Sequence, residues 1–94
     1  MHVIIDITVY CQNPQHVYST MRKEFDSDAA IVPGMHLEDR AWKEERKITG
    51  VILNPDDNSL YLGLDVQIDN RPTKDACEQL VKAYRSVGWK SASE

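Results

Sequence analysis

Residues 47–68 read KITGVILNPDDNSLYLGLDVQI, and this stretch decides the fold that the sequence predicts. Two apolar runs, 47–53 and 60–68, flank a cluster of turn-forming residues at 54–58, which is typical of a β-hairpin. Apolar side chains occupy every second position of the later run: Leu60, Leu62, Leu64, Val66 and Ile68. This alternation indicates a strand with one buried face, so we expect the hairpin to supply much of the core.

The register of this hairpin has two alternatives. A loop of two or four residues pairs Gly50 with Gly63 and leaves a shallow apolar patch on the outer face of the sheet. The residues that border this patch are Ile48, Ile52 and Tyr61. A loop of three or five residues, with Asp57 or Asn58 left-handed, instead turns Ile48 and Ile52 inward with the leucines. The sequence favours neither register.

The N-terminal region begins with a second alternating pattern. Apolar residues at every odd position from Val3 to Cys11, most of them β-branched, predict a half-buried strand over 2–11. Asn13 and Pro14 then combine a favoured N-cap with the residue preferred at the first helical position. The apolar residues that follow share one helical face, and they are Val17, Tyr18, Met21 and Phe25. We therefore expect a helix over 14–26.

The C-terminal region predicts a second helix, over 74–87. Its apolar face consists of Cys77, Leu80, Val81, Tyr84 and Val87. Gly88 stands where a left-handed C-terminal cap is favoured, and Trp89 is placed to fold back on Tyr84.

These elements predict an α+β fold with the order β-α-β-β-α. Both helices are expected on one face of a three-stranded, mostly antiparallel sheet, because that packing buries every apolar stripe. Residues 1–90 form a single domain in this prediction, since chains of this length seldom divide, and residues 91–94 are expected to be a frayed tail. The uncovered second face of such a sheet is suited to binding a partner.

Composition narrows the classes of function. A net charge of −4 and a pI near 5.3 argue against nucleic acid as the main partner. No apolar run approaches the roughly 20 residues that cross a bilayer, so we expect no membrane partner. The two cysteines, Cys11 and Cys77, match no metal or redox spacing and are expected to be reduced and packed. A cytoplasmic location is predicted from this cysteine usage.

No combination of residues predicts catalysis. The histidines, His2, His16 and His36, lie in separate segments and lack the paired spacing of metal ligands. Both cysteines occupy apolar stripes, where thiols are inert. Neighbouring carboxylates, such as Asp56 and Asp57, are typical of solvated turns rather than of acid–base sites. We therefore predict no enzyme activity, no cofactor and no metal.

The long connection between the predicted first helix and the hairpin is the candidate for function. Residues 35–46 read MHLEDRAWKEER, in which four acidic and three basic side chains surround Trp42. Residues 37–45 fit either a helix with a narrow apolar face or a loop that Met35, Leu37 and Trp42 attach to the sheet. In either form, Trp42 is interpreted as a buried structural side chain, as an anchor for a partner or dimer, or as a contact for a ligand or nucleic acid.

The sequence thus predicts a non-enzymatic module that binds another protein, as an inhibitor, adaptor or accessory factor, and that forms a homodimer. The predicted partner-binding residues lie on the connection and the open sheet face: Met35, His36, Arg40, Trp42, Arg46 and Tyr61. The alternative is a nucleic-acid or small-ligand binding domain that uses four basic residues, Arg40, Lys43, Arg46 and Lys47.

Overall fold

The computed structural model describes residues 1–93, and this part of the chain is mostly β, with 49% in strands and 14% in a helix. Seven strands and one helix follow each other in the order β1 (His2–Gln12), β2 (Gln15–Asp26), β3 (His36–Leu37), β4 (Arg46–Asn54), β5 (Ser59–Leu64), β6 (Ile68–Arg71), α1 (Lys74–Ser86) and β7 (Lys90–Ser91). The predicted α+β fold, with two helices on a three-stranded sheet, is therefore wrong.

The error lies in residues 14–26, of which 15–26 form strand β2 instead of a helix. Asn13 and Pro14 are the turn between β1 and β2 rather than a helix start. Residues 17, 21 and 25 are four apart, and this spacing puts side chains on one face of a strand as well as of a helix. Residues 16–20 are rich in β-branched and aromatic side chains, which favour the extended backbone.

Contacts divide the chain into two compact units. Unit 1 consists of residues 1–5 and 24–66, and unit 2 consists of residues 6–23 and the chain from Gln67 onward. Strands β1 and β2 contribute residues to both units. The prediction of a single domain over 1–90 stays a prediction.

In unit 1 the strand order is β3-β4-β5-β1. Strand β5 is antiparallel to β4 and parallel to β1, where Val3 pairs with Leu60 and Ile5 with Leu62. The buried apolar side chains of this unit are Val3, Ile4, Ile5, Ile48, Leu62 and Leu64. The predicted strand over 2–11 is confirmed by β1.

The β4–β5 hairpin adopts the register that pairs Gly50 with Gly63, with a four-residue loop at 55–58. A bulge between Ile48 and Gly50 places Ile48 opposite Leu64, where Ile48 is only 2% exposed. The structure therefore combines the first register at the loop end with the burial of Ile48 that the second register predicted.

Strand β5 ends earlier than the alternating leucines predict. The Asp65 carboxylate accepts hydrogen bonds from the backbone N–H groups of Lys47 (3.0 Å) and Val66 (2.8 Å). Strand β5 ends at Leu64, where these bonds begin. Val66 and Ile68, which the alternation predicts to be buried, are exposed.

In unit 2, β1 pairs in parallel with β6, and β2 pairs in antiparallel fashion with β7. The predicted helix over 74–87 is confirmed by α1, whose N-cap Thr73 accepts a hydrogen bond from the Ala76 N–H. Strand β7 includes Ser91, from the segment predicted to fray, whereas Glu94 lies outside the described residues.

The predicted C-terminal cap of α1 is also confirmed. Gly88 has a φ of 97°, and the Trp89 N–H donates to the Tyr84 carbonyl over 3.1 Å. The rings of Tyr84 and Trp89 meet edge to face, with 4.9 Å between their centroids.

Candidate interaction surface around Trp42

The segment that carries Trp42 is a loop, residues 38–45, that joins β3 to β4 within unit 1. Antiparallel pairs form at its base between His36 and Lys47 and between Leu37 and Arg46. The helical alternative for 37–45 is therefore not the one that the chain adopts. Because both ends of the loop belong to paired strands, its side chains are displayed from a fixed base.

The backbone just before β3 is also attached to β4. The Gly34 N–H donates to the Ile48 carbonyl over 2.8 Å, and the Ile48 N–H donates to the Met35 carbonyl over 2.7 Å. Gly34 has a φ of 97°, a left-handed conformation that glycine adopts without a Cβ penalty. This turn aligns residues 35–37 with the edge of β4.

A short turn at Asp39 sets the direction of the indole. The Asp39 carboxylate accepts a hydrogen bond from the Ala41 N–H (2.9 Å), and the Asp39 carbonyl accepts one from the Trp42 N–H (3.0 Å). An aspartate that bonds the backbone two residues ahead is a common turn former. The loop conformation at Trp42 is therefore specified locally by the sequence Asp-Arg-Ala-Trp.

Trp42 is half-buried and stacks with Arg46. The guanidinium carbon of Arg46 lies 4.4 Å from the indole centroid, within the range of a cation–π contact. Arg46 also donates to the Val66 carbonyl over 3.2 Å. The same arginine thus contacts the ring and the segment that follows β5.

An open depression of about 410 Å³ surrounds Trp42. Its lining contains the indole and six charged side chains: Glu38, Asp39, Arg40, Lys43, Glu44 and Glu45. Four of these side chains are acidic and two are basic, so the lining is acidic overall. An aromatic surface with surrounding carboxylates is chemically suited to a cationic side chain of a partner.

The structure brings some of the predicted site residues together and leaves others apart. Arg40 and Trp42 line the depression, and Arg46 stacks on the indole. His36 lies at the base, with its Nδ1 3.3 Å from a carboxylate oxygen of Glu45. Met35 does not line the depression, and its carbonyl and sulfur accept backbone hydrogen bonds. Tyr61 lies on β5, opposite Ile52.

A histidine–carboxylate cluster in unit 1 was not predicted from the sequence. His2 Nε2 lies 2.9 Å from Glu24, and His2 Nδ1 lies 3.6 Å from Asp26. The pKa of His2 is raised, and the hydrogen bond with Glu24 is the main cause. The residues are distant in sequence, and only the pairing of β1 with β2 brings them together. Within residues 1–93, no group of three or more potential metal ligands occurs.

The two cysteines are buried in unit 2 as free thiols. Burial raises the pKa of the Cys77 thiol, and a hydrogen bond with Cys11 raises it further. Both effects favour the neutral thiol over the nucleophilic thiolate.

No protein-family model matches this chain, and no curated protein or solved structure is significantly similar to it. No helix within residues 1–93 is both long and apolar enough to span a membrane.

Proposed function

We propose that this chain is a non-enzymatic protein-binding module and that the loop of residues 38–45 is its contact surface. The observation that carries the proposal is Trp42, a half-buried indole in an open depression at the tip of two paired strands. Tryptophan and arginine are the residue types that most often dominate binding energy at protein interfaces. A role as inhibitor, adaptor or accessory factor fits this arrangement.

The charge of the depression favours a particular chemistry in the partner. Because carboxylates outnumber cations in the lining, a lysine or arginine of the partner gains attraction from the acids and from the indole. A partner segment with basic side chains therefore fits this surface better than an acidic one.

The test is affinity capture from the native host with the intact chain as bait. The expected result is one or more proteins retained by the wild-type chain and lost by Trp42→Ala. Tyr18→Ala is the matched control, because Tyr18 is a half-buried aromatic residue on β2, outside the loop. Equal capture by the wild-type chain and Trp42→Ala would refute the proposed contact surface.

The charges around the depression do not support the nucleic-acid or small-ligand alternative, which depends on basic residues. Arg40 and Lys43 share the depression with four acidic side chains, and Arg46 stacks on Trp42. Nucleic-acid binding would appear as salt-dependent retention on heparin or DNA, which Arg40→Ala and Lys43→Ala would weaken.

A homodimer in the cytoplasm completes the proposal. The two buried thiols support a reducing compartment. The support for self-association comes from a different part of unit 1, the outer face of the β4–β5 hairpin.

A further inference from the structure

We propose that the outer face of the β4–β5 hairpin binds a second copy of this chain. This inference rests on the homodimer of the proposed function and names the surface that forms it. The surface consists of two neighbouring cross-strand pairs. The glycine row is Gly50 with Gly63, and the apolar row is Ile52 with Tyr61.

The glycine row is not required by the fold of the chain itself. Neither Gly50 nor Gly63 has a positive φ, unlike Gly34 and Gly88. A Cβ built at Gly50 meets no atom within 4 Å, and one at Gly63 meets its nearest neighbours at 3.7 Å, an ordinary contact. Glycine weakens a strand interior, and its presence there often marks a place where another backbone or a ligand approaches closely.

The apolar row projects from the sheet, in contrast to the glycine row. Ile52 is 69% exposed, which is the largest exposure among the large hydrophobic side chains described, and Tyr61 stands beside it on β5. Two residues along a strand span about 7 Å, so a projecting row lies directly beside a bare one. An exposed isoleucine next to a row without side chains, which the Thr49 hydroxyl borders at 3.7 Å from the Gly63 Cβ position, is a shape that is complementary to itself.

One twofold axis lets each row pack against the other row of the second copy. This axis lies between the two sheets, runs across the strands and passes between the two rows. It places the apolar row of each copy on the glycine row of the other, with the hairpins antiparallel and face to face. Every contact then occurs twice, as a closed, isologous dimer requires. The glycines allow the two sheets to approach more closely than a pair of side chains would permit.

The charges at the two ends of the hairpin are complementary to each other under the same twofold axis. Lys47 precedes the buried Ile48, so its exposed side chain projects on the outer face, beyond the glycine row. Asp56 and Asp57 lie at the opposite end, in the exposed hairpin loop. The twofold axis brings Lys47 of one copy toward this acidic loop of the other. This complementarity is the reason to assign the surface to a second copy of the chain rather than to an unrelated protein.

Sedimentation velocity of the full chain, from micromolar to millimolar concentration, tests the inference. The expected result is a concentration-dependent dimer. Gly50→Val is expected to weaken the dimer about tenfold or more because it fills the glycine row. The same variant is expected to melt no lower than wild type, since its side chain enters open space and favours a strand.

Four further variants sharpen the test. Ile52→Ser is expected to weaken the dimer, whereas Val17→Ser, at an exposed apolar position on β2, leaves it unchanged. Lys47→Glu is expected to weaken the dimer, and adding Asp56→Lys to it is expected to restore association.

Each outcome decides a different claim. A wild-type chain that stays monomeric at all concentrations overturns the homodimer and this surface, but leaves the Trp42-dependent capture as a separate test. A wild-type dimer that Gly50→Val and Ile52→Ser leave unchanged overturns this surface alone.

Discussion

Arg46, the first residue of β4, stacks its guanidinium on the indole of Trp42 at 4.4 Å from the ring centroid. The contact joins the tip of the loop to its base, since Trp42 lies within the loop and Arg46 follows its last residue. It also answers part of the question that the sequence leaves open about Trp42. The indole is packed on one side by its own chain and still lines an open depression.

The first prediction follows from this partial burial. Trp42→Ala is expected to lower the free energy of unfolding by about 1–2 kcal/mol, less than the loss of a fully buried tryptophan, while it abolishes partner capture. Urea denaturation followed by circular dichroism measures the first quantity, and affinity capture measures the second. A loss of about 3–5 kcal/mol would instead identify Trp42 as a structural core residue.

Arg46→Gln provides the matched control for this prediction. It removes the cation–π contact and keeps the indole, so it is expected to reduce capture by less than Trp42→Ala does. Equal loss in the two variants would mean that the partner depends on the loop conformation rather than on the indole.

The second prediction concerns the buried hydrogen bond between Tyr84 and Asp69 in unit 2. Tyr84 is 0% exposed and Asp69 is 7% exposed, so water cannot readily replace the phenolic hydroxyl. Tyr84→Phe is expected to lower the free energy of unfolding by about 1–3 kcal/mol. Tyr18→Phe, at a half-exposed position on β2, is the control and is expected to change it little. Equal melting of Tyr84→Phe and the wild-type chain would contradict a stabilising role for this bond.

The C-terminal helix was predictable because its signals are local. Gly88 and Trp89 act within a few residues of the C-terminal end of the helix, and the sequence alone shows both of them at their required positions. The N-cap Thr73, which the structure identifies, is a local signal of the same kind. Strand β2 was not predictable in the same way. Its apolar residues fit both the periodicity of a helix and that of a strand. Pairing with β1, a tertiary contact, decides in favour of the strand.

The candidate site was predictable only in part for a similar reason. Composition identifies Trp42 and its charged neighbours, but only the pairing of β3 with β4 closes the loop and stacks Arg46 on the ring. The hairpin register was open in the sequence because a bulge at one residue changes which side chains face inward. Ile48 and Ile52 therefore end on opposite faces, a result that simple alternation from one end does not give.

The third prediction concerns thiol reactivity. Cys11 and Cys77 are buried, and burial raises the pKa of Cys77 so that the thiolate is depleted near neutral pH. Both thiols are expected to react slowly with a disulfide reagent in the native protein and rapidly in guanidinium chloride. Absorbance of the released thiolate gives the two rates. Rapid reaction of the native chain would show that this region opens easily or that a thiol is activated.

The last prediction is a pH dependence at the His2 cluster. The hydrogen bond with Glu24 raises the pKa of His2 above 6.5, and NMR titration of the imidazole measures that value directly. Glu24→Gln is expected to lower the pKa toward 6.5 because it removes the carboxylate that stabilises the imidazolium.

The sign of the stability effect follows from the direction of this shift. Because the folded state holds the proton more tightly than the unfolded state, the pair stabilises the fold fully below pH 6.5. That contribution disappears as the pH rises through the raised pKa of the folded state. Urea midpoints measured on both sides of this pKa are therefore expected to fall with rising pH, and the fall is expected to be smaller in Glu24→Gln. A fall of the same size in both proteins would assign the pH dependence to another group.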